Sequence, residues 1–424
     1  MPSTSQPPLR IAVIGGGLGG TTVAYALSQL PHVDVQLYEA SATLSARGAA
    51  IALSSNGIRA LKQIFPSASG GDELLERAGA VPLNSTRSAM GSGPHAGQII
   101  FDAPSPESEV NVHRASLLRE LAALLPAESV RTGKRLASIH AASNDAGVEA
   151  AFADGSSAGA FDGVIGADGV FSVVRAHVLQ DGAGEHAATP AGFWDCRNLV
   201  PIERARAVLG EDLFAVDRQC GWVGQGAFAM HDVLERGAMV HCVISAAERE
   251  PARDRKRPLD RAVLTETLST WLDGPIGKGM IQLMLEQDDL HGYSQWEHRA
   301  TPRYSRGRVC VMGDAAHAMT PWQGSGAATA FEDAMVLQEL FRHVDSPAGV
   351  SAALRAYDAV RRPRCQRIID SSRETGILLT GQHPDAALDP GKLLGLLATK
   401  WDFIAGIDME EHKREAVTKL REFC

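Results

Sequence analysis

Three glycines follow a short apolar run at the start of the chain. Leu9–Ile14 has the apolar character of a buried parallel strand, and Gly15, Gly17 and Gly20 after it match the G-x-G-x-x-G spacing of dinucleotide-binding loops. In that motif the first glycine permits a tight turn, the second lets the backbone approach a pyrophosphate, and the third lets a helix pack on the strand. The fragment therefore predicts a helix over residues 21–30 whose N-terminus faces a phosphate group.

An acidic residue follows at the distance that this motif requires. Val33–Tyr38 has the pattern of a second strand, and Glu39 comes next, 19 residues after Gly20. A carboxylate at this point accepts hydrogen bonds from ribose hydroxyls and repels a 2′-phosphate. The predicted resident nucleotide is therefore FAD or NAD rather than NADP.

A second nucleotide-binding fragment lies some 300 residues later. It reads Gly313-Asp314-Ala315-Ala316-His317 and precedes a helical stretch through residues 331–333. One such fragment is weak support, but two in this order predict the two ends of one dinucleotide site.

Composition narrows the class of protein. A chain of 424 residues with 45% hydrophobic side chains suggests two to three domains, and a net charge of −9 gives no support to a nucleic-acid partner. The six cysteines are scattered without a C-x-x-C pair, which disfavours a disulfide framework or a zinc site and favours a reducing compartment. The polar start and the lack of a long apolar run predict a cytoplasmic protein without a membrane partner.

The middle and the end of the chain differ in their patterns. Residues 129–165 predict a strand-rich meander, and residues 192–200, 213–218, 221–231 and 239–245 predict strands of a sheet with one face toward the nucleotide domain. Residues 350–424 predict helices. The run Arg361-Arg362-Pro363-Arg364 is interpreted as a solvated helix end broken at Pro363 rather than as a basic binding patch.

Three ordered segments give the chain a family resemblance. Residues 15–39, 166–175 and 308–321 resemble the motifs of the single-component flavoprotein aromatic hydroxylases, particularly the fungal members of the salicylate hydroxylase branch. The resemblance spans residue 9 to about residue 370. It implies a tightly held FAD, NADH or NADPH as co-substrate, and insertion of one oxygen atom of O2 into a small phenolic substrate.

The resemblance also implies an α/β fold. A discontinuous Rossmann-like FAD-binding domain is expected at residues 1–80, 100–183 and 290–350, with an inserted β-sheet substrate domain at 81–99 and 184–289. The C-terminal helical segment is expected at 351–424. Whether the protein is a monomer or a homodimer is left open.

Cofactor-binding residues are carried over from the same resemblance. It implies that Glu39 binds the adenosine ribose, that Arg114 lies on the flavin side, that Asp314 binds the ribityl chain or the pyrophosphate, and that Asp168 serves both FAD and the reduced nicotinamide. The residues expected to line the flavin ring are Pro321, Gly324, Gly326 and Ala327, together with Ala50 in Gly48-Ala49-Ala50, where the family often has Gly-Ala-Gly. A solvated Arg114, and a plain loop and cap at Gly324 and Gly326, are the alternatives.

Substrate and catalytic residues complete the set of expectations. Arg197 matches an arginine that relatives place against a substrate carboxylate or phenolate, and His231 is the candidate to take a phenolic proton. Arg87 is expected in the substrate region. Trp322 stands where bacterial salicylate hydroxylases have a histidine, and an indole cannot act as a base. A surface ion pair for Arg197 and an ordinary sheet histidine at residue 231 are the alternatives.

Three functions are compatible with these patterns. The first is a salicylate hydroxylase that releases CO2 and forms a catechol. The second is a related flavin enzyme that hydroxylates, dearomatises or epoxidises another phenol, such as a polyketide. The third is a flavin-holding protein without turnover.

Overall fold

The computed structural model describes residues 7–44, 50–67, 69–83, 85–104, 109–142, 147–216, 218–234, 237–252 and 254–424. Of the Gly48-Ala49-Ala50 segment, only Ala50 lies within these ranges. The strands, numbered in chain order, are β1 Leu9–Ile14, β2 Val33–Tyr38, β3 Ala50–Leu53, β4 Val81–Pro82, β5 Ser85–Met90, β6 Ile99–Pro104, β7 Val110–His113, β8 Val130–Arg131, β9 Leu136–Ala141, β10 Val148–Phe152, β11 Ser157–Phe161, β12 Gly163–Gly166, β13 Thr189–Pro201, β14 Gln219–Gly224, β15 Ala227–Leu234, β16 Met239–Ala247, β17 Lys256–Pro258, β18 His291–Glu297, β19 Ser305–Arg306 and β20 Val309–Val311.

The α-helices are numbered in the same way. They are α1 Leu18–Ser28, α2 Ser55–Ile64, α3 Gly70–Arg77, α4 Arg114–Ala122, α5 Val173–Leu179, α6 Ile202–Leu209, α7 Arg261–Thr267, α8 Gly277–Met284, α9 Asp314–His317, α10 Gly326–Phe341, α11 Pro347–Leu379, α12 Pro390–Leu397, α13 Asp402–Ala405 and α14 Met409–Phe423.

A six-stranded sheet carries the nucleotide-binding fragments. Its strand order is β19-β20-β12-β1-β2-β8, and all neighbouring pairs except β19–β20 are parallel. The central parallel strands are buried, which explains the apolar sequence of β1 and β12. Because β1, β2, β12 and β20 run in the same direction, their carboxyl ends meet at one edge, where an open α/β sheet binds its ligand. The predicted α/β fold is confirmed.

An antiparallel sheet of eight strands forms the other large layer. Its order is β17-β18-β13-β16-β15-β14-β5-β6, and β14–β5 is its parallel pair. The strands predicted at 192–200 and 239–245 are confirmed as parts of β13 and β16. The run at 221–231 divides into β14 and β15, which are joined at Gly226 with φ +73°.

The strand predicted at residues 213–218 is wrong. Residues Glu211–Phe214 form a 3-10 helical turn, and Asp217 lies outside the described residues. Gly210, with φ +101°, ends α6 and redirects the chain, and Glu211 and Asp212 then lie at the start of the turn, where negative charge favours helical backbone.

Sheet membership differs from the expected domain limits at two points. Strands β6 and β18 lie mostly within residues assigned to the FAD-binding domain, yet both pair with strands of the eight-stranded sheet. Pairing of β6 with β5, and of β18 with β13, therefore extends the eight-stranded sheet beyond residues 99 and 289. The division into domains stays a prediction.

The C-terminal helices depart from the expectation at Arg361–Arg364. Helix α11 continues through Pro363, and the Arg361 side chain is fully buried rather than solvated. Among the described residues, none of the helices combines the length and the apolar character needed to span a lipid bilayer.

Candidate active site

A large cavity lies between the two sheets. Its volume is about 1010 Å³, which is at the upper end of the range for ligand pockets. Its walls come from the first glycine-rich loop, the turn after β12, residues 313–327, one face of the eight-stranded sheet and residues 397–405 of the C-terminal helices. The C-terminal segment, for which the sequence suggested no role, therefore contributes to the site.

The glycines of the first loop meet distinct steric requirements. Gly15 has φ +105°, and a Cβ there would lie 2.3 Å from the Ala167 carbonyl oxygen. A Cβ on Gly20 would lie 1.9 Å from the Gly15 carbonyl oxygen. A Cβ on Gly17 would meet no protein atom within 4 Å, although Gly17 lines the cavity at the start of α1. Gly15 and Gly20 thus serve the fold, whereas Gly17 leaves room for a ligand.

Glu39 lies where the acidic residue of the motif is expected. It follows β2, lines the cavity, and accepts hydrogen bonds from the amides of Gly16 and Ser41, both at 2.7 Å. These bonds fix the carboxylate beside the glycine loop. Its oxygens retain lone pairs for ribose hydroxyls.

Asp168 organises the turn after β12. Its carboxylate accepts hydrogen bonds from the Ser172 hydroxyl and from the amides of Val173 (2.7 Å) and Val174 (3.2 Å) at the start of α5. Burial raises the pKa of Asp168, and these hydrogen bonds oppose that rise. Asp168 also lines the cavity, and its role toward a cofactor stays a prediction.

The second nucleotide-binding fragment forms the opposite wall. Gly313 with φ +56° and Gly324 with φ +63° adopt backbone that favours glycine, and α10 begins at Gly326 with its N-terminus at the cavity. A helix N-terminus presents free N–H groups and stabilises negative charge. The other predicted cofactor residues that line the cavity are Ala50, Arg114, Asp314, Pro321 and Ala327.

A buried charged network supports this wall from behind. Asp333 of α10 accepts hydrogen bonds from the Gly313 amide (3.0 Å), from His317 Nε2 (2.6 Å) and from Arg361 Nε (2.8 Å). Burial alone would raise the pKa of Asp333, but the charges of His317 and Arg361 hold it at about 2. Arg361 also binds Glu332 at 2.7 Å, so helices α10 and α11 are joined through these charges.

Arg197 reaches the cavity from the eight-stranded sheet. Its Nε donates to Asp195 Oδ2 at 2.7 Å, and the negative charge of Asp195 raises the pKa of Arg197. Within the part of the chain that the structure describes, no hydrogen bond occupies the two Nη groups. Arg197 therefore retains the paired donors that bind a carboxylate.

Trp322 forms an apolar part of the wall. The ring is 8% exposed and packs edge-on against Phe193 and Phe228, with centroid distances of 5.0 and 5.8 Å. Gly376 lies so close that a Cβ there would be 2.3 Å from Trp322 Nε1. Trp322 lines the cavity, and its place in a substrate pocket stays a prediction.

The structure does not bring His231 to the cavity. Its neighbours in β15, Met230 and Asp232, face the cavity, so strand alternation turns His231 to the other face. There the imidazole packs against Phe214 and Trp222, at centroid distances of 5.3 and 6.4 Å, and burial lowers the pKa of His231 to about 4. The expectation that His231 takes a proton from a ligand in this cavity is therefore wrong in its placement.

Arg87 lines the cavity at the edge of the eight-stranded sheet. It lies on β5 opposite Cys220 of β14, and its place in a substrate pocket stays a prediction. Its guanidinium forms an ion pair with Asp102 at 2.5 Å, and Arg218 binds the same carboxylate at 2.7 Å. The Arg87 side chain thus stabilises the edge of the sheet.

Sequence reasoning missed His241. On β16, His241, Val243 and Ser245 line the cavity, and His241 is 4% exposed. The predicted strand at 239–245 contained this histidine, and alternation placed it on one face with Val243. The sequence did not show which face met the cavity.

Buried neutral histidines should make the protein sensitive to acid. Burial is the largest cause that lowers the pKa of His231 to about 4 and of His241 and His298 to about 3. An unfolded histidine titrates near 6.5, so the unfolded state binds more protons as the pH falls below that value. Each group should then cost on the order of 2 kcal/mol of stability at pH 5. Urea unfolding at pH 7 and pH 5 measures this loss, and equal stability at the two values would contradict it.

Comparisons with known proteins agree with this geometry. Residues 9–372 match the family described as "FAD binding domain". The chain belongs to this family.

Individual relatives cover nearly the whole chain. The chain is 34% identical to 6-methylsalicylate 1-monooxygenase atA of Aspergillus terreus over 96% of its own length and 92% of the relative's. It is 28% identical to a salicylate hydroxylase of Pseudomonas putida, over 97% and 95% of the two lengths. A solved salicylate hydroxylase substrate complex superposes with a TM-score of 0.82 at 26% identity and covers 98% of both chains.

These comparisons define the chemistry at the level of class. The protein is a flavoprotein monooxygenase with FAD as its cofactor, and NADH or NADPH is the co-substrate typical of its family. The open space at Gly17, the fixed carboxylate of Glu39 and the N-terminus of α10 fit such a cofactor.

Proposed function

We propose that the enzyme hydroxylates a phenolic acid, salicylate or a ring-substituted salicylate, with loss of CO2 and formation of a catechol. The observation that carries this proposal is the Arg197 guanidinium, which lies on the cavity wall with both Nη groups available. A cation in this position recognises the carboxylate that distinguishes a phenolic acid from a simple phenol. The names of the two relatives above support the same substrate class.

The cofactor residues have separate tasks in this proposal. Gly17 and Asp314 border the pyrophosphate and ribityl part, Glu39 binds the adenosine ribose, and Arg114 lies on the flavin side. Residues 321–327 and Ala50 would hold the flavin ring. FAD, when bound, accepts hydride from NADH or NADPH and activates O2. The N-terminus of α10 stabilises negative charge at the ring.

The protein orients the phenolic acid and excludes water. Arg197 binds the carboxylate, while Phe228, Met230 and Trp322 provide apolar contact with the ring. In the decarboxylating reaction, the ring carbon that bears the carboxyl group gains the oxygen atom and the carbon–carbon bond to the carboxyl group breaks. That carbon keeps its new oxygen as a hydroxyl, the electron pair of the broken bond returns to the ring, and CO2 leaves. The other oxygen atom of O2 leaves as water, with the two electrons that NADH or NADPH supplies.

Replacing Arg197 with methionine should raise the KM for salicylate roughly 10- to 100-fold, because one charged hydrogen-bonded contact is lost. FAD content should not change, since Arg197 belongs to the substrate sheet. Steady-state kinetics with salicylate and with phenol itself measure the effect. Arg204→Met, which removes an exposed ion pair with Glu286, is the control. Equal losses for salicylate and for phenol would contradict carboxylate recognition.

A larger phenol is the second candidate substrate. Leu379, Leu397 and Trp401 extend the apolar wall of the cavity, and one relative is named for 6-methylsalicylate, a salicylate with a ring substituent. A bulkier secondary-metabolite phenol, such as a polyketide, suits these walls. Hydroxylation, dearomatisation or epoxidation are the corresponding reactions.

A substrate screen distinguishes these functions. Purified FAD-loaded enzyme is mixed with NADH or NADPH, and reductant oxidation is followed with salicylate, substituted salicylates and larger phenols. Stimulation by salicylates supports the leading proposal, and stimulation by larger phenols alone supports the second. A flavin-loaded protein that no phenol stimulates would contradict both. We also propose that the enzyme acts in the cytoplasm. Its partners are then its substrate and O2, and it binds neither a nucleic acid nor a membrane.

A further inference from the structure

His241 belongs to the wall of the cavity on the same sheet as Arg197. Its Nε2 is buried and has no hydrogen-bond partner among the residues that the structure describes. Buried polar atoms in folded proteins nearly always have partners, and an exception calls for a specific explanation. Both ring nitrogens of His231, on the other face of the sheet, also lack a partner among the described residues, so what sets His241 apart is its place in the cavity wall.

Two charged residues flank His241 on the same face of the sheet. Asp232 is its direct partner on β15, and Leu199 is its partner on β13. Arg197 lies two residues before Leu199, so Arg197 and His241 are diagonal neighbours, roughly 7–8 Å apart and within reach of one small ligand. Asp232 is held by Asn111, whose amide donates to Oδ2 at 2.7 Å.

The imidazole is neutral before a ligand binds. Burial is the main cause that lowers the pKa of His241 to about 3, and the positive charge of Arg197 adds to the effect. A neutral imidazole has one nitrogen that accepts a proton. A bound carboxylate would neutralise Arg197 and so remove one of the two causes of the low pKa.

We propose that His241 accepts the hydroxyl proton of the bound phenolic acid while Arg197 holds its carboxylate. This inference rests on the proposed function. The phenolic O–H bond breaks, an N–H bond forms on the imidazole, and the phenolate is left with its electron pair directed into the ring. No oxidant is consumed in this step. The resulting imidazolium lies between Arg197 and the Asp232 carboxylate.

The role is the one expected for His231, but it falls on a different histidine. Both histidines lie on adjacent strands of one sheet, both are buried, and both are neutral in the free enzyme. They differ in the face that they occupy, and only the face of His241 borders the cavity. His231 is therefore a matched control for burial without access to the ligand.

The test compares His241→Gln with His231→Leu in the FAD-loaded enzyme. Loss of a base that acts in the transition state should lower kcat about 100-fold or more at pH 7. Because the variant depends on phenol that ionises without help, its kcat/KM should rise about tenfold per pH unit toward the pKa of the phenol. Wild type and His231→Leu should change little over the same range.

A binding experiment without turnover gives a second readout. 5-Nitrosalicylate is added to the FAD-loaded enzyme without NADH or NADPH, and the difference spectrum reports whether the bound phenol is ionised. Wild type and His231→Leu should show the phenolate band at a pH where the free ligand is protonated, and His241→Gln should bind without it. A phenolate band and a flat pH profile in His241→Gln would overturn the role of His241 while leaving the proposed function intact. Failure of wild type to bind or convert any salicylate would overturn both.

Discussion

Replacing Gly17 with alanine should give a stable protein that has lost most of its affinity for FAD. The new methyl group would meet no protein atom within 4 Å, and Gly17 does not have positive φ, so the fold has no reason to change. The methyl group would instead occupy space at the cavity where the pyrophosphate must approach the backbone. Overpacking of this kind costs about 1–3 kcal/mol, which is roughly a 5- to 150-fold rise in the Kd for FAD.

The flavin content of the purified protein and FAD titration of the apoprotein measure this effect. Gly20→Ala should behave differently, because its Cβ would lie 1.9 Å from a backbone oxygen and so destabilise the apoprotein itself. Gly184→Ala has no neighbour within 4 Å and serves as the control. Full FAD binding by Gly17→Ala would show that the pyrophosphate does not lie at this loop.

Replacing Arg361 with methionine should lower the free energy of unfolding by about 3–5 kcal/mol, because the variant leaves buried carboxylates without their cation. Arg361, Glu332 and Asp333 are all fully buried, and Arg361 binds both acids at 2.7–2.8 Å. Glu332 retains Arg364, but Asp333 retains only His317 and the Gly313 amide among the partners described here. Since Asp333 fixes Gly313, we also expect weaker FAD binding.

Arg362→Met provides a close control. Arg362 is the next residue of α11, its side chain is 37% exposed, and it pairs with Asp358 one helical turn away. Such a surface pair contributes about 1 kcal/mol or less. Denaturant unfolding of the two variants measures the difference. A loss in Arg361→Met as small as that in Arg362→Met would contradict the stabilising role of the network.

The first nucleotide-binding fragment was predictable because its signals are local. Strand β1, the three glycines and Glu39 all lie within about 30 residues. The motif also assigns a separate steric role to each glycine. The structure gives Gly15 and Gly20 those close contacts and leaves Gly17 open. The second fragment, at Gly313 and Asp314, was joined to the first by the order of the two motifs, and the structure places β20, which precedes it, in the same parallel sheet as β1.

The substrate face was not predictable in the same way. The alternation of β15 groups Met230 with Asp232 and separates His231 from both, but a period of two does not say which set faces the cavity. Pairing with β16 and β13 decides this, and such pairing joins residues far apart in sequence. His231 was therefore proposed from its position in the family resemblance, without knowledge of the face that it occupies.

The helix end at Arg361 was misjudged for a related reason. Arginine pairs beside a proline are usually solvated, and proline usually ends a helix. Here the tertiary environment reverses both tendencies, because Glu332 and Asp333 of α10 face Arg361 across the interface with α11. The acids precede the arginine by 28–29 residues, so no local pattern linked them.

The most direct test of the proposed chemistry is a product analysis with two isotopes. Salicylate carrying ¹³C in its carboxyl group is incubated with the FAD-loaded enzyme, NADH or NADPH, and ¹⁸O2. We expect ¹³C-labelled CO2 in equal amount to a catechol that contains one ¹⁸O atom. A product that keeps the labelled carboxyl group, or a catechol without ¹⁸O, would contradict a decarboxylating hydroxylation in this cavity.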